Sequence, residues 1–91
     1  MEDIKTLLEQ LGSDIRVLTD LLVAIEFNKT YNEVLGKSYI KELEKMENTL
    51  YNFRSKIENK YLMIGGKDIV ELYKLKKKNE SIQDIINRLQ K

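Results

Sequence analysis

The sequence predicts an all-α bundle, an antiparallel hairpin of two long helices followed by a short C-terminal helical hairpin. Three observations carry that prediction. Apolar residues recur every three or four positions through most of the chain. No segment alternates with the period of two that a half-buried strand requires. The strongest break is a Gly65-Gly66 pair near the end of the second apolar seam. A chain of 91 residues makes one domain, since separate cores arise only near about 250 residues. Within it, residues 2–64 read as the long hairpin and 67–91 as the small one.

The first helix is expected over residues 2–28. Ile4, Leu8, Leu11, Ile15, Leu18, Leu22 and Ile25 follow a 4-3-4-3-4-3 spacing without a miss, the seam of a coiled coil or bundle. Leu7 and Leu21 widen the stripe, which suits a helix packed by more than one neighbour. Gly12 interrupts it at a cost of about 1 kcal/mol against Ala, and so predicts a close neighbouring backbone. Next, Thr30-Tyr31-Asn32-Glu33 has capping-box spacing, with Thr30 as the expected N-cap. Leu35, Tyr39, Leu43, Met46, Leu50, Phe53, Ile57, Tyr61 and Ile64 then mark one helix over 31–64, or one from which Gly36 splits a first short turn. Asp68, with Glu71 in the reciprocal position, caps a third helix bearing Ile69, Leu72, Tyr73 and Leu75, which is expected to run through the lysines to Asn79. Ser81 and Asp84 open a fourth, with Ile82, Ile85, Ile86 and Leu89 on its expected buried side.

Composition removes most chemistry. The chain has no Cys, His, Pro or Trp, so disulfides, thiolate nucleophiles, zinc fingers and the commonest general base are all absent. With neither disulfide nor metal as a staple, a domain this small gains from self-association. The longest apolar run, Leu21 to Ile25, falls far short of the ~20 residues of a membrane span. The opening Met1-Glu2-Asp3-Ile4 lacks the basic start of a signal peptide, so a cytoplasmic location without membrane contact is expected.

The net charge of +1 hides a polarity. Residues 1–28 carry −4, residues 29–64 carry +2 and residues 65–91 carry +3. Such a distribution favours antiparallel or head-to-tail association.

No constellation of side chains points to catalysis, and no cofactor or metal is expected. Glu42, Glu44 and Glu47 could share a cation, but the Glu-x-x-His spacing of helical di-iron sites needs a His, and Lys41 and Lys45 are natural partners on the same face. Ser13, Ser38, Ser55 and Ser81 have no base to activate them. Gly65-Gly66-Lys67 lacks the Walker spacing. A catalyst built from this chain would need a concave pocket lined by Arg16, Arg54 or Arg88.

The run Ile69-Val70-Glu71-Leu72-Tyr73, the basic stretch from Lys74, and then Ser81-Ile82-Gln83-Asp84-Ile85-Ile86-Asn87-Arg88-Leu89 resembles the first two helices of resolvase- or homeodomain-like helix-turn-helix domains. The resemblance covers about a quarter of the chain and rests on core apolar positions. It implies phosphate contacts from Lys74, Lys76, Lys77, Lys78, Arg88 and Lys91. The third helix, which enters the major groove in that family, has no counterpart before Lys91.

The expected function is therefore that of a non-enzymatic helical interaction or regulatory protein. It would form a homo-oligomer, most simply a dimer, or dock on a protein partner. Its expected interface is Ile4, Leu8, Leu11, Ile15, Leu18, Leu22 and Ile25, with Tyr51, which stands off the second seam, as an exposed aromatic anchor. The alternative is a DNA-binding regulator that dimerises through the first helix and presents its basic tail to phosphate.

Overall fold

The computed structural model describes residues 3–75 and 80–90, and among these every regular element is helical. Helix α1 spans Ile4–Glu26, α2 Lys29–Leu35, α3 Lys37–Met63, α4 Ile69–Leu72 and α5 Ile82–Leu89. The fold class is the expected one. The two long helices, α1 and α3, run antiparallel. Near one end the Tyr61 hydroxyl donates to Glu9 at 2.6 Å, and near the other the Tyr39 hydroxyl donates to the Ile25 carbonyl at 3.0 Å.

Each boundary has a local cause. Asp3 caps α1 by accepting from the Lys5 amide. At its far end, Tyr39 and Asn32 side chains donate to the carbonyls of Ile25 and Glu26, groups that a helix C-terminus leaves without intrahelical partners. The chain turns within two residues, so Asn28 rather than Thr30 is the cap of α2, accepting from the Tyr31 amide at 3.0 Å. Thr30 already lies inside the helix. Gly36, at φ 78°, separates α2 from α3, so 31–64 is two helices. Gly65, at φ 96°, closes α3. The Gly66 amide bonds back to the Tyr61 carbonyl and the Gly65 amide to that of Leu62, the paired bonds of a Schellman ending.

Two expectations about the C-terminal segment are corrected. Helix α4 stops at Leu72, with Tyr73 as its C-cap, instead of running to Asn79. Glu71 does not complete a capping box but pairs with Lys74 at 2.6 Å. Helix α5 does form the reciprocal capping box between Ser81 and Asp84; the Ser81 amide and hydroxyl hold the Asp84 carboxyl below its usual range. Its apolar side is nevertheless not buried, for Ile82, Ile86 and Leu89 are all exposed.

The core sits where α4 wedges between the long helices. Ile57, Tyr61 and Leu72 are buried together, and Leu8, Leu11, Ile15 and Tyr73 pack around them. Leu72 is fully buried and Tyr61 nearly so. Gly12 makes the wedge possible. A Cβ there would lie 2.8 Å from both the Leu72 carbonyl carbon and its Cγ, which is the close backbone approach its place in the seam predicts. Gly66 does the same beneath the Tyr61 ring, where a Cβ would meet the ring carbon Cγ at 2.8 Å. Further along, Leu22 and Leu43 are buried apart from this cluster.

At the elbow of α1, α2 and α3, one oxygen of Glu47 is buried without a hydrogen-bond donor. The Glu26 carboxyl stands beside it, and that neighbour first, then burial and the charge of Glu44, raise the Glu47 pKa. A carboxyl raised in the fold favours folding while it holds its proton, and loses that advantage as pH rises through its folded value.

Two predictions follow from the packing. Gly12→Ala should lower the unfolding free energy by about 1–3 kcal/mol through overpacking against Leu72. It should do so even though Ala favours a helix interior by about 1 kcal/mol. Urea titration measures it, and an unchanged or higher midpoint would contradict the wedge. Glu47→Gln should flatten the fall of the melting temperature as pH rises above the ordinary carboxyl pKa. Parallel melts of the two proteins across that range decide the matter.

Candidate docking surface

Four of the seven seam residues are engaged inside the protein. Leu8, Leu11 and Ile15 pack on the core, and Leu22 is buried. Ile25 is half-buried. Ile4 and Leu18 remain exposed, at 56% and 49%, as do Leu7 and Leu21 at 47% and 42%. The exposed apolar residues of α1, Ile4, Leu7, Leu18 and Leu21, therefore lie on a stripe rotated from the expected one, whose middle positions, Leu11 and Asp14, are half-buried; the six are spaced 3-4-3-4-3. These positions share one side of the helix. Tyr51 is exposed as expected, on α3.

Asp14, the polar position in that stripe, is where α5 attaches. Arg88 Nη2 and Nη1 donate to its two carboxylate oxygens at 2.7 and 3.1 Å. The same guanidinium donates from Nε and Nη2 to Glu80, both at 3.1 Å. The side chains of Arg88, Asp14 and Glu80 are only 20%, 11% and 13% exposed, so water screens these bonds weakly. Asp14 first, and then Glu80, raise the Arg88 pKa. A bidentate guanidinium–carboxylate pair is among the stronger protein hydrogen bonds and fixes orientation as well. Helix α5 is thereby hooked to the middle of α1 while Ile82, Ile86 and Leu89 stay in solvent.

The residues expected to contact phosphate are distributed differently. Arg88 is held by two carboxylates. Lys74 is exposed and paired with Glu71, which raises its pKa. Lys76, Lys77, Lys78 and Lys91 lie outside the described residues.

An open cleft of about 330 Å³ is lined by Arg16, Thr19, Asp20, Arg54, Val70, Tyr73 and Lys74. It is a concavity lined by Arg16 and Arg54, two of the three arginines of which a catalytic pocket would need any one. Both arginines also do structural work. Arg16 Nη1 donates to the Tyr73 carbonyl at 3.3 Å, at the C-terminal end of α4, where a cation is favoured. Arg54 lies over the Tyr73 ring at 4.3 Å and beside Tyr51 at 5.5 Å, cation–π contacts that clamp α4 to α3. The Tyr73 phenol is raised by burial. Among the described residues no group of three or more acidic side chains could hold a metal ion. No described helix is long and apolar enough to cross a membrane.

The ionic hook was missed in the sequence because its partners are 74 residues apart. One signal was present, since a lone Asp between Leu11 and Leu18 in an apolar stripe calls for a cation. Arg88→Met should keep the apolar stem but remove the four bonds, a loss of about 2 kcal/mol for bonds to charged groups. Amide exchange over 82–89 should then accelerate about 30-fold, while exchange over 57–61 stays unchanged. Equal exchange over 82–89 in both proteins would mean that the hook does not hold α5. No known protein family, curated protein or solved structure matches this chain.

Proposed function

We propose that this chain is a non-enzymatic, cytoplasmic interaction protein of the kind found among small bacterial or phage regulators, adaptors and inhibitors, which works by laying apolar helix surface against a protein partner. The observation that carries the reading is the imbalance between core and surface. Among the described residues five apolar side chains are buried, while nineteen large ones are exposed. Scattered exposed apolar residues are ordinary, but here four lie in line along α1 and three more on the short α5. The radius of gyration of 15.3 Å exceeds the about 12 Å of a compact chain of this length.

The cleft supports a structural role better than a catalytic one. Tyr73 and Lys74 both have raised pKa values, which takes them away from the neutral range where a general base works. Of the six residues the DNA-binding alternative would use, Arg88 and Lys74 already hold carboxylates, which supports the docking reading.

Affinity capture tests the proposal. Immobilised wild-type chain should retain a protein from its host's extract, and the double variant Leu18→Glu, Leu21→Glu should retain at least about tenfold less, since the two side chains contribute about 1.5–3 kcal/mol each when buried. Circular dichroism should be the same for both proteins, because neither position supports the core. Equal retention would remove the stripe from the mechanism.

A further inference from the structure

The four exposed apolar residues of α1 are arranged about a point. Ile4 and Leu21 are equally distant from the midpoint between Gly12 and Ser13, and so are Leu7 and Leu18. The spacing 3-4-3-4-3 reads the same in both directions. A two-fold axis through that midpoint, perpendicular to α1, superposes the free stripe on itself with the helix direction reversed. We propose that the stripe's occupant is a second copy of this chain, paired antiparallel through α1, with Leu7 opposite Leu18 of the copy and Ile4 opposite its Leu21. The inference rests on the docking reading above and names its partner.

Three further observations support a second copy. The first is area. The accessible surface of 7008 Å² exceeds by about 1,500 Å² the about 5,500 Å² of a compact monomer of this mass. A stable interface takes about 800 Å² from each partner, so the excess is enough to supply one. The second is charge. Two α1 helices are both acidic and would repel if their charges met. At 100° per residue, however, Lys5, Glu9, Arg16 and Asp20 all lie on the side of α1 away from Leu7 and Leu18. The acid within the stripe, Asp14, is ion-paired with Arg88 of its own chain, which also holds Glu80, so this cluster keeps a single net negative charge. The third is closure. Self-complementary pairing about a two-fold axis uses each patch once and ends at a dimer. A head-to-tail contact would leave the same stripe open at each step.

In this register Leu11 faces Asp14 of the copy, so the ion-paired hook borders the centre of the interface.

The chain has no native cysteine, so Leu7→Cys and Leu18→Cys each introduce a single thiol. Under mild oxidation a mixture of the two variants should form a covalent dimer rapidly, while either variant alone should not. Like residues would sit about 16 Å apart along the helix, against the 4.4–6.8 Å between Cα atoms that a disulfide spans. Crosslinking of Leu7→Cys alone as fast as the mixture would overturn the antiparallel register. Sedimentation equilibrium of the unaltered chain should give twice its 10.8 kDa at high micromolar concentration, and a monomer mass there would overturn the pairing. A monomer mass together with stripe-dependent retention of another protein would sink the second copy and leave the docking reading standing. Loss of both would end the two together.

Discussion

The architecture depends on the approach of Leu72 to Gly12. A four-residue helix cannot hold itself together, since nucleating a helix fixes several residues for one hydrogen bond. Helix α4 persists because its last residue is driven fully into a notch between two long helices, and that notch exists because one position of α1 carries no side chain. The closure is redundant on the other side. Tyr61 fills the space under Gly66, and its hydroxyl is tied to Glu9, whose carboxylate pushes the phenol up to about 12. Arg16 and Arg54 then grip Tyr73 from both long helices. One small residue in α1 thus sets where the chain returns after the Gly65-Gly66 turn, and with it which face of α1 the core consumes.

That consumption decides what is left over. Packing of α3 and α4 takes the Leu8, Gly12, Ile15, Thr19 and Leu22 side of α1. On the adjacent side Leu7, Leu18 and Leu21 stay exposed among the described residues, with α5 attached between them at Asp14. In so small a chain burial is limited by surface-to-volume scaling, and here it is reduced further by the elongated shape. Exposed apolar surface of this extent marks an interaction site or an aggregation liability, which is why the proposed function rests on it.

Electrostatics acts locally in this molecule, not as an overall field. The acidic first helix and the basic C-terminal segment meet through one specific contact, Arg88 on Asp14, with Glu80 as a second acceptor. The contact spends the one arginine of the C-terminal segment on holding α5. It also places a charged, ion-paired cluster within an otherwise apolar stripe. The Glu26–Glu47 pair at the elbow has the opposite character. There a second carboxyl and burial disfavour the charged form of Glu47.

Much of the fold was legible in the sequence. The α1 seam, the break at Gly65-Gly66, the caps at Asp68 and Ser81 and the close approach at Gly12 are all local signals, written in spacing, backbone freedom or a single hydrogen-bonding side chain. Those choices depend on residues within one or two turns of each other, so the sequence determined the helices and most of their ends. It did not determine which of two overlapping stripes on α1 faces inward, because Leu7, Leu8, Leu18, Leu21 and Leu22 are equally apolar. Nor did it determine that Ile82, Ile86 and Leu89 of α5 would stay exposed, or that Arg88 would pair with Asp14. Those outcomes depend on how helices distant in sequence fit together, and only the tertiary packing around Leu72 decided them.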